Sequence, residues 1–165
     1  MKSRCAAVLF ALLFCAFAAR AEHASIDLQV SQIDPLTGQT RNGRASSDQD
    51  PPPSGNDKRP VVKVKARQPL TVQFIYQNTY PHGDIRDAGV EYIVVPVEKT
   101  NQKTVPDLKN AVTRGKFTLN FKPKAKVGAR VALTIQKPGI YLLRVQSENT
   151  NSDHEHFSAI DVIAE

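Results

Sequence analysis

"QKPGIYLLRVQSEN", Gln136 to Asn149, is the stretch from which the fold reads most directly. Pro138-Gly139 is a turn dipeptide. Gly139-Ile140-Tyr141 then opens a run in which Tyr141, Leu143 and Val145 recur at every second position. Successive side chains of a strand point to opposite faces, so this period predicts a strand with one face buried. The same alternation extends outward in both directions. Ile26, Leu28 and Val30 show it, as do Leu70, Val72, Phe74 and Tyr76, then Phe117, Leu119 and Phe121, then Val131, Leu133 and Ile135. Val61 to Ala66, Val90 to Val97 and Phe157 to Ile163 complete a set of about eight strands. Only Val105 to Val112 suits a short helical turn. Strands separated by turn signals, without helical crossovers, predict an all-β fold, an antiparallel β-sandwich.

The amino-terminal stretch reads as an address. Lys2 and Arg4 precede an apolar run from Ala6 to Ala18, and Ala19-Arg20-Ala21 has the small-x-small form of a cleavage site. Residues 1–21 are therefore expected to be a signal peptide, and 22–165 a single sandwich domain that is periplasmic or secreted. The apolar run is too short to span a bilayer, and no second span follows, so no transmembrane segment is expected after cleavage. Both cysteines, Cys5 and Cys15, lie in the leader. The mature chain would then lack thiolate chemistry and disulfides, and its stability must come from an apolar core. Three of the 22 basic residues (Lys2, Arg4 and Arg20) also leave, so 19 remain against 16 acidic ones. That balance, without a recognition-helix pattern, argues against a nucleic-acid partner.

One long segment interrupts the strand pattern. Asp34 to Pro60, "DPLTGQTRNGRASSDQDPPPSGNDKRP", is rich in Pro, Gly, Ser, Asn and Asp and nearly free of large apolar groups. Such a composition buries too little surface to offset its ordering entropy. Residues 34–60 are expected to be a long flexible loop.

The Gln136 to Asn149 stretch resembles the tyrosine-corner strand of immunoglobulin-like and fibronectin-like sandwiches. That likeness implies a structural Tyr141 whose hydroxyl ties back to nearby backbone. The last third of the chain also resembles the copper-resistance protein C family, small periplasmic sandwiches that end in Pro-Gly-x-Tyr, a strand, a polar tip and a final strand. The resemblance implies copper held by an amino-terminal histidine together with Asp and His of that tip. Here the tip carries Asp153, His154 and His156, and His23 follows the expected new terminus at Glu22. The patterns differ: Glu22 precedes His23, Asp153 is followed directly by His154, the family has no counterpart to the long Asp34 to Pro60 segment, and the mature chain here is longer than its usual domain.

The candidate chemistry therefore centres on "NTNSDHEHF", Asn149 to Phe157. His154 and His156 are two apart, so an extended backbone projects both imidazoles from one face. Imidazole suits copper, nickel or zinc, and Asp153 or Glu155 can add an oxygen or orient a ring. The same composition also suits a solvated hairpin tip. His82, in the "NTYPHGD" turn, reads as a loop residue. No Gly-x-Ser-x-Gly, His-Glu-x-x-His or phosphate-binding glycine loop occurs, and Ser152, Asp153 and His154 point apart on an extended chain. No catalytic residue is expected. Lys116, Lys122, Lys124, Lys126 and Arg130 concentrate positive charge in one strand-turn-strand segment. Such charge can meet an anionic surface, or keep a sheet edge soluble. Two functional readings result: an exported, non-enzymatic binding module for a transition metal ion, copper or nickel, through His154, His156, His23 and Asp153; or an accessory domain that contacts an envelope protein without metal.

Overall fold

The alternating apolar residues of the sequence become two facing stripes. The computed structural model describes residues 24–46, 58–78, 83–104, 106–148 and 156–165. Among these are nine strands: β1 (Ala24–Ile33), β2 (Thr40–Ser46), β3 (Val61–Val64), β4 (Pro69–Asn78), β5 (Ile85–Pro96), β6 (Thr113–Phe121), β7 (Lys126–Thr134), β8 (Gly139–Glu148) and β9 (His156–Ala164). They form a four-stranded sheet, β2-β1-β4-β7, and a five-stranded sheet, β3-β9-β8-β5-β6. Ile26, Leu28 and Val30 of β1 and Leu70, Val72, Phe74 and Tyr76 of β4 face Val90 and Val94 of β5, Leu143 and Val145 of β8 and Ile160 and Val162 of β9. Phe74 stacks on Phe117 with ring centroids 5.3 Å apart, and Tyr76 meets Phe121 edge-on at 5.1 Å. The chain is a β-sandwich of the immunoglobulin-like kind. A single 3-10 turn, Leu108–Asn110, falls where the sequence allowed one.

The tyrosine corner is present. Tyr141 is buried, and its hydroxyl donates to the Lys137 carbonyl at 2.8 Å. Gly139, at φ 154°, has to be glycine, because a Cβ there would lie 3.4 Å from the Tyr141 ring on a backbone that L side chains rarely adopt. The turn before β8 is thereby locked to the strand that follows it.

Three expectations need correction. The segment 34–60 is not a loop throughout, because Thr40–Ser46 is a strand paired antiparallel with β1, Leu28 opposite Ala45 and Val30 opposite Gly43. Asp34 builds the turn that precedes it. Its carboxylate accepts from the Leu36 amide at 2.9 Å and pairs with Lys65 at 2.6 Å, while Gly38 takes φ 68°. The Lys65 hydrogen bond and the Leu36 amide hold that carboxyl at about 2, below its ordinary value. Secondly, the sandwich is antiparallel as expected but for one pair, since β3 runs parallel to β9, Val62 beside Val162 and Val64 beside Ala164. Thirdly, β8 is buried on both faces from Tyr141 to Ser147, where the alternation implied one. The segment after β5 covers its outer side, with Val97 and Leu108 packed on Val95, Leu142 and Ala159.

A buried charge pair fastens that cover. Arg59 Nε lies 3.0 Å from Asp161 Oδ1, with their side chains 5% and 0% exposed. The other Asp161 oxygen accepts the Asn101 amide at 2.5 Å, Arg59 Nη2 donates to the Gln102 carbonyl at 2.9 Å, and the Arg59 amide donates to Asn101 Oδ1 at 2.7 Å. Asn101 sits at φ 56°, a left-handed position that asparagine tolerates. Every arm of this cluster crosses from one chain segment to another, so it closes the outer face of the five-stranded sheet.

Two stability changes are expected. Tyr141→Phe keeps the ring and loses one hydrogen bond, so urea unfolding should show a loss of about 1 kcal/mol. Arg59→Met strands the buried Asp161 carboxylate and should cost about 3 kcal/mol, whereas Arg59→Met/Asp161→Leu should recover much of that loss.

Candidate functional site

The histidine end of the sandwich is organised by a residue that breaks the apolar alternation. After Leu70, Val72, Phe74 and Tyr76, the next inward position of β4 is Asn78, which is fully buried. Its Nδ2 donates to the Gly83 carbonyl at 3.0 Å and lies 3.5 Å from the Phe121 carbonyl. Its amide donates to the Ala125 carbonyl at 3.0 Å. Across the ladder it pairs with Ala24, the first residue of β1. One side chain and its backbone thus gather the start of β1, the approach to β5 and the β6–β7 turn.

Tyr76 links this group to the other sheet. Its phenol lies beside Ser147 of β8, and burial pushes its pKa up to about 12, with the Ser147 hydroxyl opposing that rise in part. Ser147 in turn pairs with His156, the first residue of β9, and Glu148 pairs with Gly89 of β5. The start of β1, the end of β4, the start of β5, the end of β8 and the start of β9 therefore share one end of the molecule.

The expected metal ligands are close in sequence to strand ends of that group. His156 opens β9, and its backbone is fixed by the pairing with Ser147. His23 immediately precedes Ala24 of β1, and Asp153 and His154 belong to the β8–β9 connection. His82 immediately precedes Gly83, which Asn78 holds. His23, His82, Asp153 and His154 lie outside the described residues, as does the His156 side chain. Among the described residues, no group of three or more His, Cys, Asp and Glu is arranged to hold a metal.

The described part of this end has its own features. A β-bulge interrupts the β5–β6 pairing between Ile85 and Ala88, where Asp87 takes φ 55° and its amide donates to Asn120 Oδ1 at 2.7 Å. Beside it, Asp84, Ile85, Arg86, Asn120, Phe121 and Lys122 line a shallow cleft of about 270 Å³. Arg86 pairs with Asp84 at 3.6 Å. Lys122, Lys124 and Lys126 are exposed on the adjoining turn. Sequence reading passed over Asn78, although a polar residue at the fifth inward position of an apolar stripe was the signal for it.

No protein family matches the chain, and the expected likeness to the copper-resistance protein C family finds no support there. No curated protein matches it either. Solved structures similar to it include a family 123 glycoside hydrolase from Clostridium perfringens, at 10% identity and TM-score 0.46, covering 68% of this chain and 24% of that one. Another is an AA10 lytic polysaccharide monooxygenase from Streptomyces lividans, at 15% identity and TM-score 0.41, covering 70% of this chain and 63% of that one. A chitin binding domain from Burkholderia pseudomallei is similar at 15% identity and TM-score 0.40, covering 66% of this chain and 57% of that one. The chain thus spans less than two thirds of each of these proteins. A shared shape at this level says nothing of ligand or activity.

The Tyr76 environment has a measurable signature. Tyr76 should ionise near pH 12, above the ordinary tyrosine value of 10.0, in an absorbance titration of the phenolate. Because its folded pKa exceeds the ordinary 10.0, its contribution to stability is complete below pH 10 and is lost as the pH rises towards 12. Tyr76→Phe should remove both the late titration and that part of the alkaline destabilisation.

Proposed function

We propose that the chain is an exported, non-enzymatic binding module that holds a transition metal ion, copper or nickel, at the histidine end of the sandwich. One observation supports the reading above the rest: the strand ends that flank His23, His82, His154 and His156 are gathered at one end by Asn78, Tyr76 and Ser147. The chain has four histidines in all, and in sequence each lies at or within two residues of one of these described strand ends or of Gly83.

In this reading His154 and His156 supply the principal nitrogen donors, with His23 and Asp153 completing the set. Imidazole with one carboxylate oxygen suits Cu(II) or Ni(II), and Cu(II) stands highest in the affinity order of divalent ions for such donors. If the leader is removed after Ala21, Glu22-His23 offers an amine, a backbone amide nitrogen and an imidazole to the same ion. The Asn78 hydrogen bonds hold the framework from which these segments project, and pre-set anchors reduce the ordering cost of closing a site. Bound metal would stabilise the folded chain by mass action.

Calorimetric titration of Cu(II), Ni(II) and Zn(II) into the chain beginning at Glu22 tests the proposal. Stoichiometric, sub-micromolar binding of Cu(II) or Ni(II) is expected, with a matching rise in melting temperature. His154→Ala/His156→Ala should abolish both. Millimolar binding, or tight binding that this variant keeps, would make the "SDHEH" tip an ordinary polar hairpin.

A further inference from the structure

The two flanks of the sandwich differ in a way that the metal reading does not use. On one flank the edge strands β2 and β3 close on each other, so tightly that a Cβ on Gly43 would lie 3.1 Å from Cβ of Val62. On the other, β6 ends the five-stranded sheet and β7 ends the four-stranded sheet, and the two pack little on one another. Among the described residues each therefore carries an edge without a strand partner, a row of backbone donors and acceptors open to another chain. Between the edges, Phe117, Leu119, Val127, Ala129 and Val131 face inward but are only partly buried. The core is left ajar along this flank.

The charge on the flank is of one sign. Thr113 to Thr134 contains six cations, Arg114, Lys116, Lys122, Lys124, Lys126 and Arg130, and no Asp or Glu. Arg114 is engaged by Glu91 at 3.3 Å. Among the described residues, Lys122, Lys124, Lys126 and Arg130 form no ion pair with a carboxylate. Along each strand cations stand among the exposed positions, alternating with the inward apolar ones.

We propose that the β6–β7 flank is a docking edge for an extended segment of a partner protein in which acidic and apolar residues alternate. Strand addition satisfies the open backbone groups, the acidic side chains meet the lysines and arginines outside, and the apolar ones fill the strip between the sheets. A purely anionic polymer would leave that strip in water. Self-pairing of two copies through this flank would set like charges opposite each other, which destabilises a ladder. The proposal stands independently of the metal site.

The probe is a short, blocked, fluorescently labelled peptide alternating Glu with Val. It is titrated against the chain beginning at Glu22 with a chelator present, and binding is read by anisotropy and by backbone amide shifts. Binding is expected to perturb amides within 113–134, to weaken with added salt, and to fall at least about tenfold in Lys122→Glu/Lys126→Glu/Arg130→Glu. The neutral variant Lys122→Gln/Lys126→Gln/Arg130→Gln should fall between the two, and Lys63→Glu, on the opposite flank, should bind as the parent does. Circular dichroism and melting temperature check that each variant is folded. Equal binding of polyglutamate, or of a peptide with Glu and Val in separate blocks, would overturn strand addition. So would absence of binding, shifts confined to other strands, or sedimentation showing that the chain associates with itself through β6 and β7.

Discussion

A carboxylate buried as completely as Asp161 cannot stand alone, and much of the molecule is arranged around its satisfaction. Removing an ion from water costs several kcal/mol unless charge and hydrogen bonds replace the lost solvation. Arg59 supplies the charge, and Asn101 and Gln102 supply or accept the remaining hydrogen bonds. Meeting these needs brings the chain before β3 alongside β9 and draws the segment after β5 across the outer face of the sheet. The parallel β3–β9 pairing follows from the same placement, as Asp161 donates its amide to the Pro60 carbonyl at 2.9 Å. The small outer core of Val95, Leu142 and Ala159 would otherwise face water.

 The inward face was legible in the sequence because it obeys a simple period. Leu70 to Tyr76 alternate as a half-buried strand must, the inward Tyr141, Leu143 and Val145 recur at the same period, and the turn, tyrosine and strand at Pro138 to Val145 carried the corner as well. β2 was hidden because an edge strand can be nearly all polar. Its inward positions include Gly43, where Val62 leaves little room for a side chain, and only Ala45 reads as apolar. The outer face of β8 was hidden for a related reason. Arg144 and Gln146 look like solvent-facing residues, yet both are buried, Arg144 with its guanidinium 4.5 Å above the Phe157 ring and Gln146 donating to Glu91 at 3.0 Å. Alternation reports polarity, and here polarity and exposure part company.

The candidate site divides in the same way. The residue types that suit a metal were plain in "SDHEH", but nothing in one dimension relates that tip to His23 or His82. Topology relates only the strand ends that flank them, through the pairing of Ala24 with Asn78 and of Ser147 with His156 and through the Tyr76 phenol between the sheets. The basic character of Lys116 to Arg130 was equally plain in the sequence. That β6 and β7 end different sheets, with half-buried Phe117, Leu119 and Val131 between them, was not. In both places the sequence showed chemistry, and the fold supplied position.

The place of β9 has a consequence for the order of events when the chain is made. It comes last in sequence yet lies inside its sheet, between β3 and β8, and the Arg59–Asp161 pair spans 102 residues. Contacts so distant along the chain form slowly, because a large loop must close before they give anything back. β3 therefore has no neighbour within its sheet until β9 is in place. The last side of the five-stranded sheet is then completed in one late, long-range step, with β9 wedged between two strands that do not pair with each other.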